Sequence, residues 1–170
     1  MSRRTPRGLN DEQLAAFFTL MEVSSVLQYA INEHLRTDGE LSYVQFQILA
    51  RLLDAPDGRR RMTDLADGVM YSRSGLTYQA GLLEQRGLIT RAPSPDDERS
   101  IMVTITKAGG DLVNALFPGH VDRVRRMLID PLSEPDLAAL NDILGRVRDH
   151  VRAATPPRSA KPRAGRNKTD

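Results

Sequence analysis

The sequence predicts a mainly α fold with one small β-ribbon, and three observations carry that reading. Apolar residues recur at helical spacing through 11–36, 42–54, 63–69, 72–86 and 136–152. Strand-like alternation appears at 100–106, where Ile101, Val103 and Ile105 alternate with Met102 and Thr104. A Pro-rich charged segment, Pro93 to Arg99, separates that strand from a shorter one at Leu88 to Arg91. Two successive helices followed by a ribbon make a winged helix-turn-helix. Its usual work is to set one helix in the DNA major groove with the ribbon beside it.

The first helix runs from Asp11 to about Arg36, with Leu14, Phe17, Phe18 and Met21 on one side and then Leu27, Ile31 and Leu35. Ser42 caps a second helix over 42–54, and Ala55-Pro56-Asp57-Gly58 is a turn. A short helix from Thr63 to Val69 precedes the helix that matters most, Ser72 to Arg86. Ser72 serves as its N-cap, because the hydroxyl can accept a first-turn N–H. At about 100° per residue, Leu76, Ala80 and Leu83 share the buried face. Ser74, Thr77, Tyr78 and Gly81 point away from it, next to Arg73. A helix N-terminus favours phosphate, and short hydroxylated side chains allow close approach to base edges. An ordinary surface helix would carry a similar pattern; the ribbon that follows turns the reading toward double-stranded DNA. Gly81 costs about 1 kcal/mol of helix propensity, which points to a close approach or to simple tolerance.

The ribbon's tip, PSPDDERS, is too acidic to bind phosphate by charge alone. Asp97 and Arg99 are two apart and can share a strand face. Asp97 is read as positioning Arg99, and Arg99 as entering the narrow minor groove. The bland reading of the tip is a solvated ion pair of small energetic value. From Thr106 a long helix runs toward Ile129, with a kink or break expected at Pro118-Gly119. Leu137, Leu140, Leu144, Val147 and Val151 then stand at spacings 3, 4, 3, 4, a two-heptad seam that Ile143 widens. Such a seam buries either against its own chain or against a partner.

Leu65-Ala66, SRSGLT at 72–77, LLEQRGLITR at 82–91, DER at 97–99 and TKAG at 106–109 resemble the MarR family of bacterial transcriptional regulators. With the helical flanks, the resemblance covers roughly residues 10–152. It implies one domain over 10–153, with dimerisation helices at 10–40 and 107–153 and a DNA-binding part at 42–106. It implies a homodimer on palindromic operators, usually a repressor, often relieved by a small aromatic or anionic effector. Ser72, Ser74 and Thr77 fall on the family's recognition-helix positions, and Asp97 and Arg99 on its wing motif. Tyr78 stands where many members carry a basic residue, and Gly81 and Leu82 replace more polar choices, which bears on the operator sequence.

Composition fits one domain with a sizeable core in 170 residues. No cysteine is present, which excludes disulfides and thiol redox sensing. There is no run of 18 apolar residues and no apolar signal core in MSRRTPRGLN, so a cytoplasmic protein without a membrane role is expected. The net charge of +2 divides unevenly: residues 1–8 carry +3 and residues 151–170 carry +5, leaving −6 on the body. Residues 1–9 and 154–170 read as basic, disordered ends. DNA binding would then depend on where Arg59, Arg60, Arg61, Arg73, Arg91 and Arg99 project.

No catalytic, cofactor or metal pattern emerges, so neither an enzyme nor a cofactor is expected. His34, His120 and His150 are far apart in sequence. A metal set of Glu33, His34, Asp38 or Glu40, and His120 is disfavoured, because neighbouring positions 33 and 34 diverge on a helix. His34 reads as a partly exposed polar residue. Phe17, Phe18, Tyr29 and Phe46 could line an effector pocket, but their helical spacing favours plain core. The alternative to an operator-binding regulator is a winged-helix protein-interaction module or adaptor.

Overall fold

The computed structural model describes residues 8–68, 73–95 and 97–154. Within them the backbone forms two compact units, divided between Met127 and Leu128. The first begins with α1 (Asp11–Gly39), opened by a capping box. The Asn10 side chain accepts from the Gln13 N–H at 2.8 Å, and the Gln13 side chain accepts from the Asn10 N–H at 3.0 Å. Asp11 and Glu12 in the first turn complement the helix dipole. α2 (Tyr43–Leu53) starts with the same device, Ser42 and Gln45 bonding reciprocally, as the Ser42 cap predicts.

The expected turn follows, with Gly58 at φ +66°. A strand not anticipated from the sequence comes next, β1 (Arg59–Arg61). Then come α3 (Met62–Gly68), α4 (Arg73–Gln85), β2 (Ile89–Ser94), β3 (Asp97–Ile105) and α5 (Lys107–Val124). The sheet is antiparallel in the order β1-β3-β2. The core is apolar and contiguous, with Leu35, Ile48, Leu49, Leu65, Leu76, Leu83 and Val103 fully buried. α2 lies at its centre and contacts α1, α4, α5 and β3.

The ribbon corrects the expected strand limits. Residues 93–99 are not one loop: pairing continues from Pro93 opposite Ile101 to Ser94 opposite Asp97, with a register shift between Pro93 and Ser94. β2 is an outer strand, where a proline without an N–H is tolerated at an irregularity. Thr106 is not the last residue of the strand but the N-cap of α5, accepting from the Gly109 N–H at 3.1 Å and donating to the Gly87 carbonyl at 2.7 Å.

α5 also departs from expectation. It is not broken at Pro118 but continues to Val124, and the irregular turn comes later, as π-helix at Arg125–Ile129. Packing against α1 outweighs the missing proline N–H. Gly119 sits so close to α1 that a Cβ there would stand 2.8 Å from His34 Cε1. His34 itself is buried, not partly exposed. Its Nδ1 lies 2.7 Å from Asp38 Oδ2 and its Nε2 3.3 Å from the Leu116 carbonyl oxygen.

His120 lies beside this pair with its ring on Phe46, centroids 4.9 Å apart. Its Nδ1 is buried without a hydrogen-bond partner. Burial first, and then neighbouring His34, hold the His120 imidazole below its usual pKa. The unfolded chain therefore takes up a proton as pH falls through about 6.5, while the folded chain resists. Stability should fall with pH from about 6.5 down to the lower folded value, with no effect from this group above that window. Urea midpoints at pH 7.5 and 5.5 should separate more for the wild type than for His120→Asn. Equal separations would remove His120 as a cause.

The aromatic residues divide. Phe46 is core, as expected, but Phe17, Phe18 and Tyr29 are exposed on α1 and belong to no core among the described residues. α1 is also the one described helix long and apolar enough to cross a membrane. In the second unit, α6 (Glu134–Ala154) starts at a Ser133–Asp136 box and has no buried residue. Its seam residues Leu137, Ile143, Leu144, Val147 and Val151 are all exposed.

Candidate nucleic-acid interface

α4 presents the two faces that its spacing predicts. Leu76, Ala80 and Leu83 are completely buried, while Ser74, Thr77 and Tyr78 are exposed. Positions 74, 77 and 78 share one side of the helix. Tyr78 is the largest group there, at 65% exposure. Ser72 lies outside the described residues. Arg73 begins the helix, but its side chain lies outside them too. Gly81 needs no close approach, since a Cβ there would meet only the Arg91 Nη2 at an ordinary 3.8 Å. Of the two readings of that glycine, tolerance holds.

At the ribbon's end, Asp97 is exposed and its Oδ2 accepts from the Ser100 hydroxyl at 2.7 Å. The backbone of Arg99 is in β3, while its side chain lies outside the described residues. Ser100 is thus a partner of Asp97 that the sequence did not suggest.

Several of the arginines counted toward DNA are engaged by the chain itself. Arg59 Nε donates to Asp57 at 2.5 Å, and that bond holds the Asp57 carboxyl below its usual range. Arg60 Nε donates to the Arg51 carbonyl at 3.0 Å. Arg91 pairs with Glu84 on α4, and the guanidinium bond keeps that carboxyl low as well. Beyond the end of α4, Arg86 caps α1: it donates to the Glu40 carbonyl at 2.7 Å and the Gly39 carbonyl at 3.1 Å. These carbonyls close a helix whose C-cap, Glu40, is left-handed at φ +51°. α4 is therefore tied at its C-terminal end to both the ribbon and α1, leaving its N-terminal half as the presented surface. Sequence reasoning missed both ties. A signal existed for the first alone, in LLEQRGLITR, where Glu84 and Arg91 stand on either side of a turn glycine.

Among the described residues no group of three or more His, Cys, Asp or Glu side chains is placed to hold a metal ion. The arrangement offers an exposed helix face and, on the strand that follows, an antiparallel ribbon.

The family model described as the MarR family matches residues 40–100. The transcriptional regulator PecS of Dickeya dadantii is 31% identical over 150 residues, spanning 84% of this chain and 86% of PecS. AbsC, a MarR family transcriptional regulator from Streptomyces coelicolor, superposes with a TM-score of 0.83 at 32% identity, over 87% of this chain and 99% of AbsC. Sco3205 from the same organism, a MarR family regulator solved in complex with DNA, gives a TM-score of 0.83 at 28% identity, over 88% and 94% of the two chains. With the buried and presented faces of α4, the ribbon and these likenesses in agreement, the chain belongs to the MarR family of winged-helix DNA-binding transcriptional regulators.

Proposed function

We propose that the protein is a cytoplasmic homodimeric repressor of a palindromic operator, released by a small aromatic or anionic effector. The observation that carries DNA reading is the exposed Ser74–Thr77–Tyr78 face directly across α4 from a fully buried one. Ser74, Thr77 and Tyr78 read bases in the major groove, Ser72 and Arg73 meet phosphate at the helix start, and Arg99, oriented by Asp97, enters the minor groove. Dimerisation covers α6 and the first half of α1, which explains apolar α1 without a membrane. The repressor's sign and its effector rest on the family resemblance. DNA would favour one spacing of the two recognition helices and the effector another.

The test is a footprint on the DNA upstream of the protein's own gene, repeated across salt concentrations. Protection of a palindrome, weakening as salt rises, is expected. Arg99→Ala should weaken that binding with fold and dimer intact. Asp97→Ala should weaken it less, because it removes orientation but also a charge that repels phosphate. No protection at any salt would favour the adaptor reading. An Arg99→Ala protein that binds as the wild type does would make the wing merely structural.

A further inference from the structure

The last turn of α4 and the first strand of the ribbon share an ion pair that no DNA contact proposed above uses. Glu84 accepts three hydrogen bonds from Arg91. The backbone N–H of Arg91 reaches Oε1 at 3.0 Å, and its Nε and Nη2 reach Oε2 at 3.0 and 2.7 Å. Both side chains are about one-third exposed or less, at 27% for Arg91 and 36% for Glu84. Exposed pairs between flexible side chains contribute little, but here both carboxylate oxygens are held, one by two guanidinium N–H groups and the other by a backbone N–H, and such charge-assisted bonds hold geometry better than a single contact does.

The other links between α4 and the ribbon are the helix-ending backbone bonds, from the Gly87 N–H to the Glu84 carbonyl at 2.8 Å and from the Leu88 N–H to the Leu83 carbonyl at 3.0 Å, and the buried side chains of Leu83, Leu88 and Ile89. The backbone bonds fix the turn up to Leu88, and the apolar packing beyond it is non-directional, so it leaves the tilt of the strand on the helix weakly determined. Three hydrogen bonds from Arg91, three residues further along the strand, to one carboxylate add the missing direction. A reader that places a helix and a ribbon against DNA at once needs that tilt fixed before contact, or loses affinity in fixing it. We propose that Glu84 and Arg91 are a positioning pair for operator recognition, setting the tilt of the ribbon on α4, with Arg91 acting as a brace and not as a phosphate contact. The inference rests on the DNA-reading assignment above.

Electrostatics alone makes the opposite forecast, which renders the proposal testable. Removing a carboxylate near DNA should tighten all binding, and should tighten it further if the freed Arg91 reaches a phosphate. The probes are a duplex enriched from random-sequence DNA by the full-length wild-type chain and a scrambled duplex of equal length. Affinities are measured across salt for the wild type, Glu84→Ala, the milder Glu84→Gln, and the charge exchange E84R/R91E, all below their melting temperatures. Glu84→Ala should bind the enriched duplex roughly tenfold more weakly. The scrambled duplex should be bound as well as before or better, so the ratio of the two falls. Glu84→Gln should lie between Glu84→Ala and the wild type. The exchange should recover part of the ratio, since opposite charges again face across the same gap. Glu84→Ala and Glu84→Gln that bind the enriched duplex as tightly as the wild type or more so, with the salt slope steeper by about one, would overturn the proposal. A wild type that enriches no sequence would overturn the DNA-reading assignment itself and take the inference with it.

Discussion

Leu144→Glu should sediment as a single folded chain of 18.9 kDa, while the wild type sediments at about twice that mass. Leu144 is central in a helix with no fully buried residue, flanked by Ile143 and Val147, both also exposed. The first half of α1 shows the same pattern with Phe17, Phe18, Met21 and Val26. Two uncovered apolar helices in one small chain exceed what a soluble monomer ordinarily leaves in water. Each apolar Å² removed from water contributes about 25 cal/mol, so pairing such faces can hold a dimer at low concentration. An ionised carboxylate in the middle of that surface must lose its water or open the seam, and opening is the smaller cost. Operator affinity should fall by about a hundredfold or more, because the second half-site is no longer held near the first. A wild type that is monomeric at micromolar concentration, or a Leu144→Glu protein that stays dimeric, would refute this.

Gly109→Ala should unfold at a temperature lower by roughly 5–10 °C, a loss of about 2–3 kcal/mol. A Cβ at Gly109 would stand 2.2 Å from the Leu88 carbonyl oxygen and 3.0 Å from Ile105 Cγ1. The first obstacle is backbone that is already committed, since the Leu88 carbonyl accepts the Thr106 N–H at 3.1 Å. The neighbouring Gly87 carbonyl holds the Thr106 hydroxyl. The clash is relieved only by pulling the start of α5 away from the junction of α4 and β2. Gly81→Ala is the natural control, the same change in another helix but with only ordinary contact at 3.8 Å. It should gain up to about 1 kcal/mol of helix propensity. Two glycines with equal responses in a thermal melt would contradict the packing described.

Most of the helical frame was legible in the sequence, because period and capping chemistry are local. Ser42, the 55–58 turn and the Leu76–Ala80–Leu83 face stand where spacing places them. What escaped was decided by contacts distant in sequence. β1 is Arg-Arg-Arg, with no apolar alternation, and becomes a strand only because Arg59, Arg60 and Arg61 find Thr104, Val103 and Met102 across the sheet. Pro118 signals a break that packing on His34 overrides. His34 near a helix end looks solvent-facing until α5 covers it. Phe17, Phe18 and Tyr29 are spaced like core residues, but spacing alone does not say whether the covering surface belongs to the same chain. The outward face of α4 was readable from its period; the Glu84–Arg91 tie left only a hint in the opposite charges either side of Gly87, and the Arg86 tie left none, since it joins residues 46 and 47 apart that only the fold brings together.

The outer position of β2 has a consequence for crowding on DNA. An open strand edge invites another strand to continue the sheet, and a ribbon held out from the body would be well placed to recruit one. Here Pro93 removes an N–H from that edge and the register shift beside it skews the line of carbonyls. The acidic residues that follow repel a second copy of the same tip. Neighbouring molecules on adjacent sites should thus pass wing to wing without knitting together. The ribbon is, by the same residues, a poor seed for aggregation.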